Sequence, residues 1–242
     1  MSITYGVRDP LKGGIVTDSL IFYIHPSLRA SYPGTGTTVT DLVGNQTVTM
    51  SGSSMSVRGG RFYFNGTDDK MEVGSSLIDI GGDYTLSSTD DDYTLEAWIY
   101  PLSSQGTSTS ADCIIGNDTA VGVGMQLGIN GAAPRINYGA RSTSNFYSSD
   151  LAGYNQWYHV VMSHQQGSFT RTFINGSLDV AVSATSYSIA DGTYGNMEIG
   201  NATGRVSGYF DGFMGPLRIY KRGLSDAEML RNFNASRQRY GL

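Results

Sequence analysis

Cysteine, clustered basic residues and long apolar segments are scarce in this sequence of 242 residues. Cys113 is the single cysteine, so no disulfide can form within the chain, and we expect it to pack as a small apolar residue. The 16 Lys and Arg residues are scattered and the net charge is −5, which argues against nucleic-acid binding. No stretch approaches the roughly 20 apolar residues that cross a bilayer. We therefore expect neither nucleic-acid binding nor membrane insertion, and the N-terminal residues 1–10 predict no secretion signal.

Glutamate is also rare, with four residues, whereas glycine (32) and tyrosine (16) are abundant. Few strong helix formers and many turn-forming residues are typical of short β-strands joined by tight turns. The composition therefore predicts an all-β protein.

The pattern that organises the chain is a predicted hairpin, Trp157–His164 followed by Phe169–Ile174, with Asn175-Gly176 as the next tight turn. We expect Trp157 to be essential to the core and Trp98 and Trp157 to mark opposing sheets. The predicted core residues are Trp98, Trp157, Val161, Ile199 and Ile219.

Other segments predict further strands. Ser19–Ile24 indicates a strand that is buried on both faces or paired at the centre of the sandwich, and Tyr93–Tyr100 alternates, with Leu95, Ala97 and Ile99 on one side. Arg61–Phe64 and Lys70–Val73 predict a hairpin with a polar tip, and further strands are expected near 112–116, 125–129, 135–139 and 208–220. After Ser225, a capping pattern with Glu228 predicts a short helix whose apolar stripe is Met229, Leu230 and Phe233.

Several of these motifs, taken in order, resemble the laminin G-like, concanavalin A-like jelly-roll family: Trp157–Val161, Met197–Gly200, Tyr209–Phe213, Leu217–Tyr220 and Leu224–Glu228. The resemblance implies an all-β, two-sheet antiparallel β-sandwich with one short C-terminal helix. We expect residues 1–18 to form an N-terminal arm and residues 19–242 to form the jelly-roll domain.

A narrower resemblance, to laminin G-like proteins encoded by tailed bacteriophages, rests on Ser31–Thr37, Asp41–Asn45, Phe64–Asp69, Asn232–Ala235 and Arg239–Leu242. It implies a non-enzymatic virion structural protein, a capsid decoration or a head or tail appendage subunit, located in the virion. Its expected partners are other virion subunits, with the chain as a homo-oligomer or in many copies on the particle. We expect the arm to dock on a neighbouring subunit.

The sequence shows no catalytic apparatus. A retaining glycosidase needs two carboxylates about 5 Å apart, yet Glu72, Glu96, Glu198 and Glu228 are far from one another in the sequence. We expect Glu96 to lie on a polar strand face. His159 and His164 are an odd number of positions apart, which predicts opposite strand faces and no shared metal, and we expect His159 to be a packed, hydrogen-bonded histidine. We predict no enzymatic activity and assign no catalytic residue.

Calcium is the one cofactor that the family resemblance makes plausible, through carboxylates at the sandwich rim. Asp68-Asp69 and Asp90–Asp92 are the acidic clusters, but adjacent side chains usually point apart and Ca²⁺ needs 6 to 8 converging oxygens. We therefore expect solvated loops, assign no metal ligands and predict no cofactor.

Aromatic residues around the long segment 140–155 are the candidate ligand-binding residues for a host glycan: Tyr138, Phe146, Tyr147 and Tyr154. The alternative function is a carbohydrate-binding, receptor-recognition module of a tail fibre, and a remote alternative is a polysaccharide hydrolase.

Overall fold

The structure is a computed structural model that describes residues 14–44, 46–73, 92–103, 112–116, 124–130, 133–138, 146–165, 168–183, 197–201 and 208–242. Within these ranges the chain forms sixteen strands and an α-helix, α1 (Asp226–Asn234), followed by a 3₁₀ helix at Arg237–Tyr240. The strands are β1 Leu20–Ile24, β2 Thr38–Thr40, β3 Thr47–Ser51, β4 Ser56–Arg58, β5 Arg61–Asn65, β6 Lys70–Val73, β7 Tyr93–Pro101, β8 Asp112–Gly116, β9 Gly124–Asn130, β10 Ala133–Tyr138, β11 Phe146–Tyr147, β12 Tyr158–His164, β13 Phe169–Ile174, β14 Ser177–Ser183, β15 Glu198–Ile199 and β16 Asp211–Tyr220.

The strands of the described residues build two eight-stranded antiparallel sheets. Sheet A has the order β14-β13-β12-β7-β16-β5-β4, with β1 paired to β16. Sheet B has the order β11-β10-β9-β8-β15-β6-β3-β2. This confirms the predicted two-sheet antiparallel sandwich with a short C-terminal helix.

The main core lies between the sheets. Alternation along β7 places Leu95, Ala97 and Ile99 in it, as predicted, and all three are fully buried. Ile199 and Ile219 belong to the same core. β1 is buried along its whole length, which confirms a strand covered on both faces.

Sheet A has a second packed layer on its outer face. Helix α1 covers this face with Met229 and Phe233, and Val161 packs against that layer rather than between the sheets. The capping pattern is confirmed, because the Ser225 backbone N–H donates to Glu228 Oε2 at 2.9 Å. No helix in the described ranges is long and apolar enough to cross a bilayer.

The prediction that Leu230 belongs to the apolar stripe of α1 is wrong. It is 47% exposed, and Asn232 is buried in its place. The amide of Asn232 donates to Glu96 and to the Tyr220 hydroxyl, which belong to a buried polar network on sheet A. A pattern of apolar residues cannot predict this, because it places every polar residue of the helix on the exposed side.

The last residues of the predicted arm pack on the domain itself. Ile15 and Val16 are each 4% exposed. The Val16 N–H donates to Asn232 Oδ1 at 2.8 Å, and Tyr220 Oη donates to the Val16 carbonyl at 3.1 Å. Docking of the arm on another subunit stays a prediction, and residues 1–13 lie outside the described residues.

The hairpin predicted from β5 and β6 is wrong, because these strands belong to different sheets. β5 pairs with β4 and β16, whereas β6 pairs with β3 and β15. Phe62 and Phe64 point inward from one sheet, and Met71 and Val73 point inward from the other. Two alternating strands that bury the same core from opposite sides have the same pattern as a hairpin.

The central hairpin of β12 and β13 is confirmed, and so is the turn after it. Asn175 and Gly176 have φ values of 52° and 77°, the left-handed conformation that a type I′ turn requires at both central positions. A Cβ added to Gly176 would lie 2.6 Å from the ring of Phe233. The turn therefore also forms part of the surface on which α1 packs.

Trp98 and Trp157 do not mark opposing sheets, which corrects the prediction. Trp98 in β7 is fully buried, whereas Trp157 precedes β12 and is only partly buried. Both rings contact Tyr240, with centroid distances of 4.1 and 4.6 Å. They share the outer face of sheet A because β7 and β12 are neighbouring strands.

Candidate functional site

Four partly exposed aromatic side chains form a continuous row on the outer face of sheet A, beside the part that α1 covers. Phe213 lies 5.2 Å from Tyr63 and 6.1 Å from Tyr100, and Tyr100 lies 5.4 Å from Trp157, measured between ring centroids. Neighbouring rings are tilted by 52° to 74°. We call these four residues the aromatic row.

Strand register explains the row. Phe213 of β16 is the cross-strand partner of Tyr63 in β5 and of Tyr100 in β7. Directly opposed residues share a sheet face, so three adjacent strands each contribute one ring. Trp157 adds the fourth ring just before β12 begins.

Two arginines contact the first and last rings of the row. The guanidinium carbon of Arg58 lies 3.5 Å from the ring centroid of Tyr63, and that of Arg61 lies 5.3 Å from the ring of Trp157. Arg58 and Arg61 are themselves cross-strand partners at the β4–β5 turn. A Cβ on Gly60, in that turn, would be 3.6 Å from Arg239 Nη2. Arg58, Arg61 and Arg239 therefore all lie around the β4–β5 turn.

Tyr240 joins the row to the C-terminus. Its ring stacks on Trp98 and contacts Trp157, and burial raises the pKa of its hydroxyl to about 12. Gly215 allows this approach, because a Cβ there would lie 2.5 Å from the Tyr240 hydroxyl and 3.0 Å from Trp98 Cβ. The row thus rests on a rigid, buried aromatic stack.

A buried polar network lies under α1, next to this stack. Glu96 accepts hydrogen bonds from Arg218 and from Asn232 Nδ2, the latter at 2.7 Å, and its Oε1 lies 2.9 Å from His159 Nε2. The expectation that Glu96 lies on a polar strand face is corrected: it is 1% exposed. Burial alone would raise the pKa of Glu96, but Arg218, His159 and Asn232 lower it to about 2.

The two central histidines behave as the strand spacing predicts. His159 is packed and hydrogen-bonded on the α1 side of sheet A. His164 has its ring 5.1 Å from that of Tyr93, a residue of the inter-sheet core, and its Nδ1 is 2.8 Å from Thr170 Oγ1. The histidines therefore lie on opposite faces of sheet A, as predicted.

A family model described as the concanavalin A-like lectin/glucanases superfamily matches residues 65–229, more than half of the chain. The chain belongs to this superfamily. None of the curated protein sequences compared with it matches.

Solved structures of the same fold include a Trypanosoma rangeli sialidase bound to the inhibitor DANA, with a TM-score of 0.64, 14% identity and coverage of 90% of this chain and 33% of the sialidase. They also include the binding domain of botulinum neurotoxin DC, in complex with SialylT (TM-score 0.61, 14% identity, coverage 90% and 52%) or with rat synaptotagmin II (0.59, 14%, 90% and 51%). The chain spans about a third of the sialidase and about half of the neurotoxin domain. These likenesses establish the fold.

Since the superfamily includes glucanases by name, pairs of carboxylates are of interest. Glu72 and Glu198, distant in the sequence, are cross-strand partners on β6 and β15, which corrects the expectation that the glutamates are isolated. Lys70 Nζ lies 2.9 Å from a carboxylate oxygen of each. The two carboxylates therefore form an ion-pair cluster with Lys70.

The structure separates the four residues predicted to bind a glycan. Tyr138 and Phe146 are cross-strand partners at the β11 edge of sheet B, and Tyr147 lies beside them with the guanidinium of Arg135 3.7 Å from its ring. Tyr154 instead packs against the inter-sheet core. Their role in binding stays a prediction.

The acidic clusters form loop-supporting bonds where they are described. Asp68 accepts from Ser53 Oγ and Asn65 Nδ2, and Asp69, which is buried rather than solvated, accepts from the backbone N–H groups of Ser54 and Asn65. Asp90 and Asp91 lie outside the described residues. Within the described ranges, no group of three or more His, Cys, Asp or Glu residues could hold a metal ion.

The aromatic row was not found from the sequence, although a signal exists. Tyr63, Tyr100 and Phe213 stand on the polar side of three alternating strands, where a solvent-facing aromatic residue is unexpected. Their meeting depends on β5, β16 and β7 being neighbours, which spacing along the chain does not reveal.

Proposed function

We propose that this chain is a non-enzymatic, lectin-like structural protein of a tailed-phage virion, placed as a capsid decoration or as a head or tail appendage, that binds host-surface glycans through the aromatic row. The observation that carries the glycan-binding role is four adjacent, partly exposed rings on one rigid sheet face.

The apolar C–H face of a sugar ring packs against an aromatic ring, and the polar edge remains free for hydrogen bonding. Such an aromatic contact contributes about 0.5–1.5 kcal/mol beyond the area it buries. Three rings of the row sit on strands and the fourth, Trp157, packs against Tyr240, so little conformational entropy is lost when a ligand binds. A fixed row of rings therefore suits an extended glycan.

Relatives of the fold support a binding role. A neurotoxin domain of this fold was captured in complex with SialylT, and the same domain was captured with a protein, rat synaptotagmin II. The absence of catalysis is supported by the burial of Glu96 and by the position of Lys70 between Glu72 and Glu198.

The virion assignment rests on the motifs shared with phage-encoded laminin G-like proteins. The carboxylate of Asp41 holds a turn by accepting from the backbone N–H groups of Tyr23 and Gly44, each at 2.8 Å. Asp69 holds the β5–β6 corner, and Tyr240 closes the aromatic stack. The motifs shared with the phage-encoded proteins thus have structural roles in this chain. The resemblance to those proteins therefore extends to the contacts that hold the domain together.

Glycan binding is tested by screening the purified chain against immobilised glycans, together with Phe213→Ala and Tyr147→Ala. We expect binding that Phe213→Ala weakens at least fivefold and that Tyr147→Ala, at the sheet B edge, leaves unchanged. If glycan binding is lost in Tyr147→Ala and not in Phe213→Ala, the binding site consists of the residues predicted from the sequence and not of the aromatic row.

The virion role is tested by antibody labelling of particles from the phage that encodes the chain. Labelling of the intact particle is expected, and its absence contradicts the assignment. Sugar release from a polysaccharide that disappears in Glu198→Gln would contradict the non-enzymatic role.

A further inference from the structure

We infer that the aromatic row and its two arginines form a binding site for carboxylated sugars, that is, glycans containing uronic or sialic acid units. This inference rests on the proposed glycan-binding function and specifies its ligand class. The decisive juxtaposition is that of Arg58 and Arg61 with the first and last rings of the row.

Arg58 is held in place before any ligand arrives. Its guanidinium lies flat enough on Tyr63 to put the central carbon 3.5 Å from the ring centroid, and its Nε donates to Ser56 Oγ at 3.1 Å. The residue is nevertheless exposed. A guanidinium fixed by stacking and by Nε leaves its terminal N–H groups for a carboxylate, which it binds in bidentate geometry.

Arg61 brings a second cation to the row, at the ring farthest from Tyr63. It is the cross-strand partner of Arg58, so the two Cβ atoms are about 4.5–5.5 Å apart, and its guanidinium lies near Trp157. Two neighbouring like charges on a surface destabilise the folded chain unless an anion joins them. Together the two residues favour an acidic ligand at the rings.

The contrast with other arginines of the chain supports a ligand role. Arg171, Arg218 and Arg222 each form an ion pair with a carboxylate of the chain. Among the ion pairs formed between described residues, none includes Arg58 or Arg61. Asp211, the acidic residue nearest to Phe213 along β16, is bonded to Ser103 Oγ at 2.6 Å.

The geometry favours a sugar acid over a nucleic acid. A nucleic acid needs many phosphate contacts, and the net charge of the chain is −5. Successive rings of the row are tilted by 52° or more, whereas stacked bases need parallel platforms. A glycan with a carboxylate needs few cationic contacts, and its separate sugar rings can each pack on one of the tilted aromatic rings.

The test uses probes that differ only in the acid group: 3′-sialyllactose and polygalacturonate, each against its carboxyl methyl ester. Calorimetric or biolayer titration is carried out with the whole chain, with Arg58→Gln/Arg61→Gln, and with Arg135→Gln. Arg135 is the matched control, because its guanidinium also stacks on a tyrosine, Tyr147, but in the other sheet. Circular dichroism checks that each variant is folded.

The expected result is at least tenfold tighter binding of one acidic probe than of its neutral partner, since a charge-assisted hydrogen bond is worth about a factor of ten in affinity. The Arg58→Gln/Arg61→Gln variant should lose this preference, and Arg135→Gln should keep it. Equal binding of acidic and neutral probes would overturn the inference while leaving glycan binding intact. A preference that survives in the double variant, or disappears in Arg135→Gln, would also overturn it. Binding to no probe here and to no glycan in the screen would remove the proposed function itself.

Discussion

Glu96 of β7 and Arg218 of β16 are cross-strand partners whose ion pair is buried under helix α1. Their side chains are 0% and 2% exposed, and Asn232 of the helix and His159 of β12 complete the contacts of the carboxylate. The pair therefore fixes the helix to the sheet that carries the aromatic row.

Glu96→Gln should destabilise the domain by about 3–5 kcal/mol, because it leaves the guanidinium of Arg218 buried without its counter-charge. Glu228→Gln is the matched control. Its carboxylate also pairs with an arginine, Arg222, but its side chain is 30% exposed, so the loss should be about 1 kcal/mol or less. Urea unfolding of both variants measures the difference, and equal small losses would show that the buried pair is not required.

The same pair predicts acid sensitivity. The pKa of Glu96 is depressed from 4.5 to about 2, so its contribution to stability is complete above about pH 4.5 and is lost as the pH falls towards 2. Urea unfolding at pH 6, 4 and 3 should show the wild type losing more stability than Glu96→Gln. Parallel pH profiles would contradict this prediction.

Residues 14–18 should be required for full stability, although the sequence suggested a separable arm. Deleting residues 2–17 removes the buried side chains of Ile15 and Val16 and leaves the Asn232 amide without its bond to the Val16 N–H. We expect a loss of several kcal/mol in thermal or urea unfolding. Deleting residues 2–13 keeps those contacts and is the matched comparison. If the two deletions are equally stable, the segment contributes nothing to the fold.

Patterns within single segments were enough to predict β7, β8 and the β12–β13 hairpin, and the capping pattern was enough to predict the helix, because these depend on neighbours in the sequence. The partners of β5 and β6 were not predictable from the same pattern. A strand with one apolar face packs equally well in either sheet, and only the whole arrangement decides.

The second buried layer explains the remaining errors. Alternation identified the inner face of β7 correctly, but Glu96 and Trp98 on its other face are buried by α1 and Tyr240. Nothing local in the sequence shows that a distant helix covers that face.

Trp157, although in the strongest motif, is only partly buried, whereas Trp98 is fully buried. Trp98→Ala should therefore lower the free energy of unfolding more than Trp157→Ala does.

Tyr240 is 7% exposed, and its hydroxyl has no hydrogen-bond partner in the described part of the chain. An unpaired buried hydroxyl costs free energy, so Tyr240→Phe should raise the free energy of unfolding by about 1 kcal/mol. Tyr240→Ala removes the ring that stacks on Trp98 and contacts Trp157, and should lower the free energy of unfolding by about 3–5 kcal/mol.

Tyr158→Phe is the control for the hydroxyl of Tyr240, because Tyr158 is 3% exposed but its hydroxyl donates to the Gly153 carbonyl at 2.8 Å. Losing that bond should lower the free energy of unfolding by about 1 kcal/mol. The two Tyr→Phe changes thus remove the same atom from similar burial and should act in opposite directions. Thermal unfolding followed by tryptophan fluorescence measures both. Destabilisation by Tyr240→Phe would mean that its hydroxyl is hydrogen-bonded in solution, and the aromatic stack would then be held by a polar contact as well as by packing.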